Sequence, residues 1–337
     1  MKLLKPVFFA LSLFTIFSCS NGPEFITFTE NVENRITVVE KNEGKGFFWP
    51  YFLYIPDEIK YENPPLLVST NNCSRSDDFD FVYNEAKKDF LSLIEIADEY
   101  GIPCVLCALP RFSNNFPGMN RGENDAWVVN VQALTRTALL TDVTALKRID
   151  EQVKYMILDA FSRLDAKGIQ NSGKCAMFGF SASADFANRF SILQPELVEL
   201  IIAGDPSDWY TLPISEYKGR TLRYPIGVSD IIQLTGQEFN RQEYNDIAKF
   251  FFTGDSDAHD PILYIDNIDY EDRMTFFRLF GTDIMEKYYI NEKLLREAKC
   301  NFEFRVYPGT AHQFSDEMRE DALDFFRRYI NSRKSYN

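Results

Sequence analysis

The run Lys174-Cys175-Ala176-Met177-Phe178-Gly179-Phe180-Ser181-Ala182-Ser183-Ala184-Asp185-Phe186-Ala187 sets a serine between two small residues, after an apolar stretch and before Ala187, Phe190 and Leu193 at helical spacing. A strand that turns sharply into a helix at that serine would hold its hydroxyl clear of the sheet. So abrupt a turn presses the two backbones together, and the positions two before and two after must be small. Gly179 and Ser183 meet that demand. A serine hydroxyl attacks an acyl carbon only when a neighbour takes its proton, and imidazole suits this because its pKa lies near neutrality. The chain has two histidines, His259 and His312. His312 follows the apolar segment 302–307 and precedes the last helical pattern, which makes it the expected base. An acid that orients it should lie between serine and histidine in the chain. The loop Gly254-Asp255-Ser256-Asp257-Ala258-His259-Asp260 offers three carboxylates. Asp257 is the choice because Gly-x-x-Asp carries the carboxylate past the turn, with Asp255 and Asp260 as alternatives and Asp205 and Asp208 as outside candidates. His259 is read as a surface residue, the alternative being that it tunes the pocket. For the oxyanion the expected donors are the main-chain N–H of Ala182 and, from the loop Asn71-Asn72-Cys73, that of Asn72. The two histidines do not form a pair at helical ligand spacing, and neither a thiol cluster nor a phosphate-cradling glycine loop is present, so neither metal nor cofactor is expected.

These side chains need a scaffold that brings distant segments to one edge. Short β-type runs at 35–39, 47–54, 66–70, 104–108, 175–178, 200–203, 250–253 and 302–307 alternate with helical patterns, which predicts an α/β fold with a mostly parallel eight-stranded sheet and helices on both faces. The first two runs have no helix between them and are expected to pair antiparallel at one edge. Helices are predicted over 81–100, with Phe81, Ala86, Phe90, Leu93, Ile94 and Ala97 near one face, over 146–164, and over 315–333. Three segments, 112–143, 206–246 and 261–298, do not fit the alternation and are expected to be a lid and pocket wall beyond the strand ends. Trp127, Trp209, Tyr210, Phe276 and Phe277 within them could line a pocket, although aromatics at this density more often belong to a core.

A hydrophobic content of 45% over 337 residues suffices to bury one large α/β core. Of six cysteines, Cys104 and Cys107 have redox-pair spacing. On a strand, residues three apart face opposite sides, so they are read as buried core thiols. Residues 1–18 combine Lys2 and Lys5 with a short apolar run, the pattern of a secretory signal. Ile16-Phe17-Ser18-Cys19 resembles the lipobox of bacterial lipoproteins. That resemblance implies an acylated Cys19 and a place in the bacterial cell envelope with the lipid anchor as the membrane contact, while the polar, aperiodic stretch that follows reads as a tether over 19–34 leading to a domain over 35–337. Losing Lys2 and Lys5 would take the net charge from −14 to −16. So acidic a chain is not expected to bind nucleic acid.

The stretches Arg148-Ile149-Asp150-Glu151-Gln152-Val153, Gly179-Phe180-Ser181-Ala182-Ser183 with Ala187-Asn188-Arg189-Phe190, and Tyr224-Pro225-Ile226-Gly227 with Asp230 resemble the α/β-hydrolase superfamily. Within it they are most similar to polyhydroxybutyrate-depolymerase-like and feruloyl-esterase-like enzymes. That resemblance implies hydrolysis of a small-molecule or polysaccharide-linked ester through an acyl-enzyme, with Ser181, Asp257 and His312 as nucleophile, acid and base. The chain departs from the superfamily in having Ser183 at the second small position and in lacking a His-Gly-Gly oxyanion loop. A peptidase using the same triad, and an inactive binding lipoprotein on the same scaffold, are the competing readings.

Overall fold

Side chains of Cys175–Phe180 alternate between two apolar layers. Cys175 and Met177 join one core cluster, and Ala176, Phe178 and Phe180 join the other. Burial on both faces explains why the run reads as continuously apolar rather than alternating, as a central parallel strand should. The computed structural model describes residue 32 and residues 35–113, 129–206, 209–259 and 268–334. The central sheet comprises β1 (Ile36–Val39), β2 (Tyr51–Tyr54), β3 (Leu66–Thr70), β4 (Cys104–Cys107), β5 (Cys175–Phe180), β6 (Val198–Gly204), β9 (Ala248–Gly254) and β10 (Phe302–Tyr307). A separate hairpin pairs β7 (Glu216–Tyr217) with β8 (Arg220–Thr221). The eight strands lie in the order β1-β2-β4-β3-β5-β6-β9-β10. β2 pairs antiparallel with both β1 and β4, and every other pairing is parallel. The expected antiparallel edge and the mostly parallel sheet are both present.

Differences from expectation are local. β2 begins four residues later than the apolar run because Pro50 has no N–H to donate, and Phe47 instead bridges back to Asn42 around the turn Glu43–Lys45. The helix Phe79–Tyr100 starts at an Asp78 cap and buries Val82 rather than Phe81. It stops at Gly101, whose φ of 62° lies in the left-handed region and where a Cβ would crowd Lys60 and the Glu58 carbonyl. One sheet face carries the helices Ile149–Ala166 and Ala182–Leu193, and the other carries Phe79–Tyr100 and Asp316–Lys334. Cys104 and Cys107 face opposite layers, both fully buried, and burial holds both thiols well above the usual range. No described helix is long and apolar enough to cross a membrane. Cys19 and the first 31 residues lie outside the described residues.

The segments that broke the alternation carry short elements. Residues 206–246 hold the hairpin and the helices Ile231–Thr235 and Arg241–Asp246, and the described part of 261–298 forms the helices Tyr270–Phe280 and Ile284–Glu297. Trp209, Tyr210 and Phe276 are core side chains there. Trp209 packs edge-on against Phe276 and donates to the Ile226 carbonyl at 3.1 Å. The Tyr210 hydroxyl sits between β6 and β9, within 2.9 Å of the Ala203 carbonyl and 3.1 Å of both the Phe252 carbonyl and N–H. Phe277 is half-buried, and Trp127 lies outside the described residues.

Candidate active site

Because β3, β5, β6, β9 and β10 run parallel, the residues that follow them emerge along one edge of the sheet, where open α/β sheets bind ligands. Ser181 follows β5 and caps the helix Ala182–Leu193, with φ 59° and ψ −128°. A non-glycine residue at positive φ is strained, and the surroundings here enforce it. The Ser181 N–H donates to the Gly204 carbonyl at 2.9 Å, and the Ser181 carbonyl accepts from the N–H groups of Ala184 and Asp185. A Cβ on Gly179 would land on the Ser183 carbonyl and 2.6 Å from the Ala184 nitrogen. Only glycine fits there. Ser183, at the second small position, closes a two-way clasp: its Oγ accepts from the Phe180 N–H at 2.9 Å and donates to the Phe180 carbonyl at 2.8 Å.

His312 Nε2 lies 2.9 Å from Ser181 Oγ, and its Nδ1 lies 2.7 Å from Asp257 Oδ2. Asp257 Oδ1 accepts from the His259 N–H at 2.8 Å, so both carboxylate oxygens are engaged and the side chain is buried. This arrangement fixes the proton on Nδ1 and leaves Nε2 as the acceptor for the serine proton. Burial lowers the His312 pKa, but the hydrogen bond and charge of Asp257, with a contribution from Asp205, outweigh it, and the pKa is raised above 6.5.

The loops carrying acid and base are tied to each other. A Cβ on Gly254 would strike the Thr310 backbone, so glycine lets the two loops touch. There the Ser256 N–H donates to the Thr310 carbonyl at 3.0 Å, and the Asp255 N–H to the Tyr307 carbonyl at 3.1 Å. The exposed Asp255 spends its Oδ1 on the Gly309 N–H at 2.6 Å and does not meet His312. Asp260 and Asp208 lie outside the described residues. His259, read from sequence as a surface residue, is exposed, yet its ring centroid lies 4.8 Å from that of His312.

Two site residues differ from expectation. The Asn72 N–H donates to Asp89 Oδ2 at 2.8 Å, so it is committed to the helix Phe79–Tyr100 rather than offered to an oxyanion. Asp89 reaches it from 17 residues away. Burial pushes that carboxyl up to about 8, with Glu85 adding and the Asn72 N–H and Lys88 opposing. The Asn72 side-chain amide donates instead to the Phe180 carbonyl at 3.3 Å. The neighbouring Cys73 N–H is also engaged, by Gln132 Oε1 at 3.1 Å. Ala182 opens its helix, so its N–H belongs to the first-turn donors that no intrahelical carbonyl reaches. The second departure is Asp205. It is fully buried after β6, and one atom each from Asp205, Asp257 and His312 converge within 4.8 Å of one another.

No family model and no curated protein matches the chain. Among solved structures, poly(aspartic acid) hydrolase-1 from Sphingomonas sp. KT-1 superposes with a TM-score of 0.54 at 16% identity, covering 86% of this chain and 97% of the other. A poly(3-hydroxybutyrate) depolymerase from Bordetella parapertussis superposes at 0.53 with 18% identity, covering 85% and 87%. The shared architecture is the α/β-hydrolase fold.

Proposed function

We propose that this chain is a serine hydrolase that cleaves a carboxylic ester through an acyl-enzyme. The observation that carries this reading is the single imidazole within hydrogen-bond reach of both Ser181 Oγ, at 2.9 Å, and Asp257 Oδ2, at 2.7 Å. In the forward step His312 Nε2 takes the Ser181 proton as Oγ bonds to the acyl carbon, and the carbonyl electron pair moves onto oxygen. The developing oxyanion faces the N-terminus of the helix Ala182–Leu193, with the Ala182 N–H as donor. His312 then gives its proton to the leaving alkoxide as the carbon–oxygen bond breaks. Water repeats the sequence on the acyl-enzyme, releasing the acid and returning the proton to Oγ. Asp257 keeps its hold on Nδ1 throughout and steadies the imidazolium.

The fold neighbours named for polymer hydrolysis support a hydrolase. Ser181→Ala should abolish both p-nitrophenyl ester turnover and labelling by a fluorophosphonate. Undiminished labelling on another serine would overturn the assignment. Aminoacyl anilides assayed in parallel separate ester from amide cleavage. Placement in the cell envelope with an acylated Cys19 is part of the same proposal and rests on the sequence; labelled palmitate incorporated into the parent and absent from Cys19→Ala tests it.

A further inference from the structure

Asp205 follows β6 directly with φ 42°, a left-handed conformation that aspartate tolerates better than most side chains. Its N–H donates to the Phe252 carbonyl at 2.9 Å, which seats it between β6 and β9. One carboxylate oxygen is fully used: Oδ1 accepts from Thr253 Oγ1 at 2.5 Å and from the Gly254 N–H at 3.0 Å. The other, Oδ2, is buried without a donor among the described residues. Local structure needs only the first oxygen, and an asparagine would supply it equally well. Burying a second carboxylate beside Asp257 is costly, since like charges at this range oppose each other's ionisation. The groups that face it are Asp257 and His312, with Tyr210 behind. The Tyr210 hydroxyl is held by the Ala203 and Phe252 carbonyls, and the His259 ring centroid lies 4.8 Å from that of His312.

We propose that Asp205 is a positioning residue for His312, a second buried carboxylate that backs Asp257 and orients the imidazole when Asp257 cannot. The inference rests on the serine-hydrolase reading above. In the resting enzyme Asp257 holds Nδ1. When Asp257 is replaced by asparagine, the Asp205 carboxylate, one oxygen of which lies within the same 4.8 Å cluster, can take the Nδ1–H hydrogen bond after a small movement of ring and carboxylate. Burial, with the Asp257 charge adding, pushes the Asp205 carboxyl up to about 7, against the opposing Thr253 and Gly254 hydrogen bonds and the His312 charge. Loss of Asp257 relieves that repulsion and favours the ionised form that the relief role requires.

The test is kcat/KM against pH for the parent, Asp205→Asn, Asp257→Asn and the double variant, with fluorophosphonate labelling rate as a second readout. Removing the sole orienting acid of such a triad costs on the order of 10⁴-fold in kcat. Asp257→Asn alone should therefore fall by only about 10²-fold, and the double variant by about 10⁴-fold. In Asp205→Asn alone the acid limb should move to lower pH, because one of the charges that raises the His312 pKa is gone. Two results overturn the proposal: an Asp257→Asn variant already as impaired as the double variant, or an Asp205→Asn profile that superimposes on the parent. A Ser181→Ala variant with parent turnover would instead sink the hydrolase reading itself. Matching urea midpoints for Asp205→Asn and the parent exclude a folding origin for any shift; a lowered midpoint with an unmoved acid limb counts against the proposal.

Discussion

Replacing Ser183 by alanine tests whether the departure from glycine at the elbow is a structural device. Ser183 is 1% exposed, and its hydroxyl makes two hydrogen bonds to one residue, at 2.9 and 2.8 Å. A buried neutral hydrogen bond contributes about 1 kcal/mol net, so losing two should cost about 2 kcal/mol, rising to about 3 if the Phe180 groups are left short of partners. The helix propensity gained by alanine returns only about 0.5 kcal/mol. Urea unfolding should thus show a lower midpoint at unchanged slope, the mark of altered stability rather than altered compactness. The clasp also fixes the peptide plane entering the strained Ser181, so kcat should drop several-fold with little change in KM. Ser183→Gly, which restores the commoner residue, should be less stable than Ser183→Ala by up to about 1 kcal/mol. A Ser183→Ala variant that unfolds within about 0.5 kcal/mol of the parent with unaltered kcat would show that the clasp is no such device.

Four further outcomes follow from the same geometry. Gly179→Ala should yield an inactive, poorly folded chain, because the new methyl lands on helix backbone that cannot give way; normal circular dichroism and labelling would contradict this. The acid limb of kcat/KM should have its midpoint above 6.5, since the reactive form of His312 is neutral and its folded pKa is raised; a midpoint below that value refutes the electrostatic picture. By the same linkage, His312 lends stability that is complete below about pH 6.5 and fades as pH climbs through the raised pKa, which a urea-midpoint titration would reveal. Tyr210→Phe should lose about 1 to 3 kcal/mol, because its hydroxyl serves buried carbonyls on two strands; an unchanged unfolding midpoint would count against that bracing.

Strand positions were legible wherever apolar runs were bounded by turns: β3 and β10 match to the residue, and the ends of β6 and β9 extend only one or two beyond expectation. Gly179 and Ser183 could be read because close approach leaves a composition signature. Which carboxylate of the 255–260 loop meets His312 depends on Asp255 being drawn to Gly309, a contact across 54 residues that no local pattern encodes. The commitment of the Asn72 N–H was hidden for the same reason, since Asp89 reads as a polar position on an amphipathic helix. In the sequence Asp205 stands only as an outside candidate, since its nearness to Asp257 and His312 comes from β6 lying beside β9 and not from any spacing along the chain.

The bare backbone at Gly254, pressed against Thr310, joins the loops after β9 and β10 into one body. Its consequence is mechanical. Fraying of the β10 margin would carry the ring and its carboxylate away together, leaving the hydroxyl stranded on an intact central turn. Inactivation by mild denaturant should therefore run ahead of unfolding of the inner strands, as a single loss of the paired loops rather than a gradual loosening of three separate groups.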